Sequence, residues 1–188
     1  MVNSSFKTTE MNQLIKIAQE GNLKALEELL SRIQKNIFAM FNYLTDKRQD
    51  VADLTQEALI KTAKYLHTLK EPACFKSWLN HIVMNTFYDY TKKINPDNVE
   101  LDDNKLAEIK DRIGCEPGEK CFFSEIDKLI KAALLSLPEN LRVVIVLREY
   151  EGLSYEDISK ITNTTLGTVK SRIARARAKL QHELKEFI

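Results

Sequence analysis

Glycine and proline are scarce in this 188-residue chain, at 5 and 4. Long stretches therefore run without a helix breaker, and Leu, Ile, Lys, Glu and Ala fill them, which favours helices. Cysteine is scarce as well. Cys74, Cys115 and Cys121 are odd in number and form no C-x-x-C pair. They exclude a disulfide framework and read as free cytosolic thiols. His67, His81 and His182 are scattered and fit no ligand spacing, so no metal site and no cofactor is expected. Long apolar runs are missing too. No purely apolar run is longer than Val143 to Leu147, which is far too short for a membrane span. The first residues, "MVNSSFKTTEMNQ", lack the apolar core of a signal peptide. The expectation is a cytoplasmic protein without membrane insertion. Net charge is almost absent, at +1.

The near-neutral total hides a pattern. Residues 1–95 carry 13 basic and 10 acidic side chains, residues 96–124 carry 4 and 8, and residues 125–188 carry 11 and 9. A weakly basic block, an acidic middle and a second weakly basic block follow one another. The middle holds two prolines, two glycines and few large apolar residues. It reads as an acidic linker, 96–124, between two small helical domains, 1–95 and 125–188. The fold class expected is all-α.

In the first block, helices are expected over Met11–Glu20 and Asn22–Leu44, separated by Gly21. Leu26, Leu29, Leu30, Ile33, Ile37, Met40, Phe41 and Leu44 recur at three- and four-residue steps and form a buried stripe. Asp50 is placed to cap a third helix, Val51–Leu69. Its inner line is Leu54, Ala58, Leu59, Thr62 and Leu66; its polar side carries Asp53, Gln56, Glu57, Lys61 and Lys64. Glu71-Pro72 ends it. A fourth helix, about Phe75–Lys92, has Phe75, Leu79, Ile82, Val83 and Thr86 as its inner line. Four helices with short turns make a bundle. Tyr88 and Tyr90 beside Lys92 and Lys93 combine aromatic and basic character, the means by which proteins hold unstacked single strands. A core aromatic with a wet hydroxyl is the plainer reading of the same tyrosines.

The second block holds four helical segments, Ile126–Ser136, Pro138 to about Tyr150, Tyr155–Ile161 and Leu166 to about Phe187. Pro138 starts the second and Gly152 stops it. Ser154 is the N-cap of the third, with Asp157 three residues on. Asn163 suits a left-handed turn, and Thr164 or Thr165 caps the fourth. A short helix, a tight turn and a longer helix with Ile158, Ile161, Leu166, Val169 and Ile173 form the helix-turn-helix pattern. With Val169 at zero and steps of about 100° per residue, Ile173, Ala176, Leu180 and Leu184 fall on the core side. Lys170, Ser171, Ala174, Arg175, Ala178 and Gln181 fall opposite. Arg172, Arg177 and Lys179 lie on the flanks. Between Lys170 and Lys179 there are five basic residues and no acid. Small residues at the centre let the helix approach a groove. Lys170, Ser171 and Arg175 reach base edges, and Arg172, Arg177 and Lys179 suit phosphates. Gly167 beside Thr168 leaves first-turn amides open to a phosphate oxygen. A basic face alone is ordinarily a solvated face; here the turn, the caps and the apolar spacing coincide with it.

Longer phrases carry a resemblance. "LPENLRVVIVLRE", "GLSYEDIS" and "GTVKSRIARAR" closely resemble the C-terminal promoter-binding domain of the extracytoplasmic-function (ECF) sigma factors of bacterial RNA polymerase. "DVADLTQEALIKTAKYL" followed by "FKSWLNHIVMNTFYDYTKK" resembles their N-terminal domain, and the sigma-E-like group is nearest. The resemblance implies an alternative sigma factor that binds core polymerase, directs it to promoters, and is held by an anti-sigma factor, in some cases at the inner membrane. It implies that Asp53, Gln56 and Glu57 dock on the clamp coiled coil of the largest subunit. Leu69, Trp78, Asn85, Tyr88 and Lys92 then fall to the minus-ten element, with Asn85 in a pocket for a flipped base, where its amide offers both a donor and an acceptor. Lys170, Ser171, Ala174 and Arg175 match the positions that read minus-thirty-five bases, and Arg148, Tyr155, Thr168 and Arg177 match positions that contact the backbone, where the wheel also puts Arg172. The sigma-E-like group often has Arg and an aromatic where this chain has Lys170 and Ala174, and Leu69 replaces an aromatic. Lys lacks Arg's bidentate fork, so the promoter sequence does not carry over.

No nucleophile–base pair, phosphate loop or metal cluster stands out, so the chain is not expected to be an enzyme. The rival reading is a stand-alone helix-turn-helix regulator with a helical sensing domain.

Overall fold

The computed structural model describes Phe6 and residues 8–94 and 125–185. The acidic stretch 96–124, with Cys115 and Cys121, and the expected helix end at Phe187 lie outside the described residues. Among the described residues all regular structure is helical. It falls into two compact units, Met1–Asp97 and Asn98–Ile188.

The first unit is built from α1 (Met11–Gln19), α2 (Leu23–Leu44), α3 (Arg48–Tyr65) and α4 (Phe75–Ile94). Gly21 adopts φ +90° between α1 and α2, a conformation open to glycine and costly for other residues. Asn22 then caps α2, its Oδ1 accepting from the amides of Lys24 and Ala25, each at 3.1 Å. The expected stripe of α2 is the spine of the core: Leu29, Ile33, Ile37, Met40, Phe41 and Leu44 are buried. Leu54 and Ala58 of α3 and Val83, Met84 and Phe87 of α4 are buried as well. Each of these side chains larger than alanine contributes about 1.5–3 kcal/mol when removed from water. The buried threonines Thr55, Thr62 and Thr86 satisfy their hydroxyls on carbonyls four residues back, at 2.7, 2.8 and 2.9 Å.

Three expectations change here. The third helix starts at Arg48, after Lys47, which offers no side-chain cap. Asp50 is inside the first turn and does not cap it; its carboxylate accepts the Tyr90 hydroxyl from α4. The helix also ends at Tyr65 and not at Leu69, passing through a single tight turn, Leu66–Thr68. A second such turn, Pro72–Cys74, leads into α4. Gln19 of α1 explains the path between them, since its amide donates to the carbonyls of Leu66 at 3.0 Å and Leu69 at 2.7 Å.

The second unit contains α5 (Glu125–Leu135), α6 (Glu139–Ile145), α7 (Tyr155–Thr162) and α8 (Leu166–Leu184). Pro138 is the N-cap of α6. The helix then widens into a π turn, Val146–Tyr150, before Gly152 at φ +65°. Ser154 Oγ accepts the Asp157 amide at 3.0 Å, and it donates to the Asp157 carboxylate at 2.7 Å. Asn163 has φ 51° and ψ 43° and ends α7. Thr165, rather than Thr164, caps α8, accepting the Thr168 amide at 3.2 Å. Val169, Ile173 and Ala176 are buried, while Leu180 and Leu184 are only half-buried, so the core side of α8 thins toward its end.

Candidate nucleic-acid interface

In the second unit, α8 lies against α6 and α7 on its Val169–Ile173–Ala176 face. The opposite face is open. Lys170, Ser171, Ala174, Arg175, Ala178 and Gln181 are all exposed, as are Arg177 and Lys179, while Arg172 is half-buried. The side chains expected to read bases therefore share one accessible surface with small residues at its centre. Ser171 Oγ donates to the Thr168 carbonyl at 3.0 Å, which leaves its oxygen lone pairs as acceptors. The Thr168 amide is not open to a phosphate as expected, because Thr165 Oγ1 holds it.

Three of the five residues expected on the DNA backbone are gathered in an unforeseen way. Arg148 donates to the Leu153 carbonyl at 2.7 Å, and its guanidinium lies 4.8 Å from the centre of the Tyr155 ring. Together these contacts tie the π turn to the start of α7. Arg177 reaches Glu149 with Nε at 3.0 Å and Nη2 at 2.6 Å, both on one carboxylate oxygen. The hydrogen bond and charge of Glu149, with a smaller part from Tyr155, raise the already high pKa of Arg177. Arg148, Glu149, Tyr155 and Arg177 thus form one cluster on three elements. Glu149 was not foreseen: nothing in the spacing links it to a residue 28 positions on.

In the first unit, Asp53 and Gln56 are exposed on α3 and Glu57 is half-exposed beside them. Glu57 is held by Lys61 at 2.8 Å. Lys61 also meets Thr86 Oγ1 at 3.2 Å and Asp89 at 3.5 Å on α4. Desolvation pulls the Lys61 pKa down, but Glu57 and Asp89 outweigh it and hold the ammonium above its usual value. A second bridge joins the same helices where Tyr90 donates to Asp50. Burial first, and then Asp50, push the Tyr90 phenol up to about 12. Asp50, Asp53, Leu54, Glu57, Tyr90 and Lys93 line a shallow cleft between α3 and α4.

On α4, Asn85 and Lys92 are exposed, and Trp78 and Tyr88 are half-buried. At about 100° per residue the four fall within an arc of about 80°, so they share one face. Trp78 leans on Phe75, ring centres 5.8 Å apart, and Phe87 lies 6.2 Å from Tyr88. Leu69 does not join them. It is 6% exposed, and its side chain fills the core beneath the loop that Gln19 draws inward. Leu69 therefore shapes the loop from below and presents little surface to a strand.

Residues 29–95 match the family described as Sigma-70 region 2, and residues 127–180 match Sigma-70, region 4. The ECF RNA polymerase sigma-E factor of Haemophilus influenzae is 32% identical over 185 residues, covering 93% of this chain and 95% of that protein. The sigma-E factor of Escherichia coli K12 is 32% identical over 182 residues, 93% and 94% of the two chains. The RNA polymerase sigma-H factor of Pseudomonas aeruginosa is 31% identical over 94% of each. Among solved structures, the sigma factor RpoE of Bartonella quintana, crystallised with the anti-sigma factor NepR, has a TM-score of 0.67 and 28% identity, covering 86% of this chain and 98% of that one. The two matched regions and the helical fold define a transcription initiation factor of the sigma-70 type. Within that class, the chain belongs to the ECF sigma factors, in the sigma-E-like group.

Proposed function

We propose that three surfaces divide the work of this alternative sigma factor. An ECF sigma factor gives RNA polymerase core its promoter choice and starts transcription. In this chain the domains are 1–95 and 125–188, joined by the linker 96–124. Asp53, Gln56 and Glu57 dock on the clamp coiled coil of the largest subunit. Trp78, Asn85, Tyr88 and Lys92 act on the melted minus-ten strand. Lys170, Ser171, Ala174 and Arg175 read the minus-thirty-five duplex, with Thr168, Arg172 and Arg177 on its phosphates. Arg148 and Tyr155 act there mainly by fixing α7 and the π turn. The observation that carries this reading is the α8 face, where small residues are ringed by cations and set by a capped helix-turn-helix.

Catalysis belongs to the polymerase, and the chain itself is not an enzyme. Its place is the bacterial cytoplasm, and an anti-sigma factor holds it there or at the inner membrane until released. The complex of RpoE with NepR supports such control. No described helix is long and apolar enough to cross a membrane. Docking is tested by Asp53→Lys with Gln56→Ala. The pair should weaken core polymerase binding at least tenfold and leave the thermal unfolding of the free chain unchanged. Unchanged polymerase binding would remove α3 from the docking surface.

A further inference from the structure

The exposed face of α8 meets a duplex with one of its cations already engaged. Glu149 Oε1 takes Nε and Nη2 of Arg177 at 3.0 and 2.6 Å, and both side chains are 53% exposed. The pair lies at the surface where a phosphate would arrive, and not in the core. Glu149 is placed there by the π turn. An extra residue in the turn rotates the residues downstream of it by about 100°. The turn closes through the Glu151 amide on the Val146 carbonyl at 3.2 Å and the Leu153 amide on the Leu147 carbonyl at 3.1 Å. Arg148 is then drawn onto Leu153 and Tyr155, and its neighbour Glu149 projects toward α8.

We infer that Glu149 limits promoter affinity: its carboxylate competes with the DNA backbone for Arg177 and stays beside any phosphate that displaces it. The inference rests on the reading of α8 as the duplex-contacting helix. An exposed ion pair is weak and yields to a phosphate. Once Arg177 turns away, however, the Glu149 charge is left next to the phosphate, and like charges repel. The contact therefore forms, but below the strength that the cations alone would give. The consequence suits a protein that has to read promoters when carried by polymerase and not as a free chain.

The test is holoenzyme assembled from core polymerase and the full chain, binding labelled duplexes with the minus-thirty-five element, read by fluorescence anisotropy. Glu149→Gln keeps shape and removes the charge. It should tighten binding about three- to tenfold, on the promoter duplex and on a scrambled duplex alike. The slope of log affinity against log salt should steepen by up to about one. In an Arg177→Ala background, which abolishes the competition but leaves the repulsion, Glu149→Gln should still tighten binding, by a clearly smaller factor than in the unsubstituted protein. Glu149→Ala serves as a second variant and should follow the same pattern. Unchanged or weaker binding by both Glu149 variants overturns the inference, as does an equal gain in the Arg177→Ala background, which would make Glu149 only a distant charge. If the unsubstituted holoenzyme shows no affinity for the element, the reading of α8 falls and the inference with it.

Discussion

Tyr90→Phe tests how firmly α3 is tied to α4. The Tyr90 hydroxyl donates to Asp50, joining α4 to the first turn of α3, and the phenol is pushed from 10.0 up to about 12. Two pH units correspond to roughly 2.7 kcal/mol at 1.36 kcal/mol per unit. Burial is the largest cause of the shift; it penalises the phenolate without strengthening the bridge, and solvent screens the rest, so the hydrogen bond to Asp50 itself contributes about 1 kcal/mol. Folding raises the pKa of this acid. The unfolded chain loses the proton near pH 10 and the folded one near pH 12, so the contribution is full below pH 10 and disappears as the pH rises to 12. Urea unfolding followed by Trp78 fluorescence isolates the first unit, because Trp78 is the only tryptophan and belongs to α4. Tyr90→Phe should be about 1 kcal/mol less stable than the unsubstituted chain at pH 8, and the gap should close between pH 10 and 12. A gap that stays constant across that range, or none at pH 8, would refute the bridge.

Arg175→Ala should cost about 1–3 kcal/mol and relax preference at one base pair in a binding assay over a randomised minus-thirty-five element; a uniform loss on all sequences would make it a phosphate contact. Asn85→Ala should slow promoter opening, read by permanganate footprinting, while leaving minus-thirty-five duplex binding within twofold. Asn163→Val should destabilise the second unit by about 1–2 kcal/mol in thermal denaturation followed by circular dichroism, because φ 51° is closed to a β-branched residue.

Where local chemistry decided the outcome, the sequence was enough to see it. Ser154, Asn163 and Gly152 take the cap and turn roles that their residue types favour. The wheel through Val169 and Ile173 separated the buried face of α8 from the open one, because a helix's period leaves little choice. What escaped depends on contacts between distant segments. Asp50 has the chemistry of a cap, yet Tyr90, 40 residues away, takes its carboxylate. Leu69 is buried because Gln19 holds its carbonyl from 50 residues away. The π turn has no sequence signature here, and without it neither Arg148 on Tyr155 nor Glu149 on Arg177 can be placed. Arg177 was thus named by its type and place on the helix, but its partner Glu149 was not.

Promoter choice should arise only when this chain and core polymerase act together. Transcription from a library of randomised upstream templates, with the chain alone, core alone and both combined, decides the point. Specific initiation should appear only in the combination, and the selected templates should share two sequence blocks at a fixed spacing. No initiation on any template, or the same sequence selection by the chain binding duplex DNA without polymerase, would contradict it.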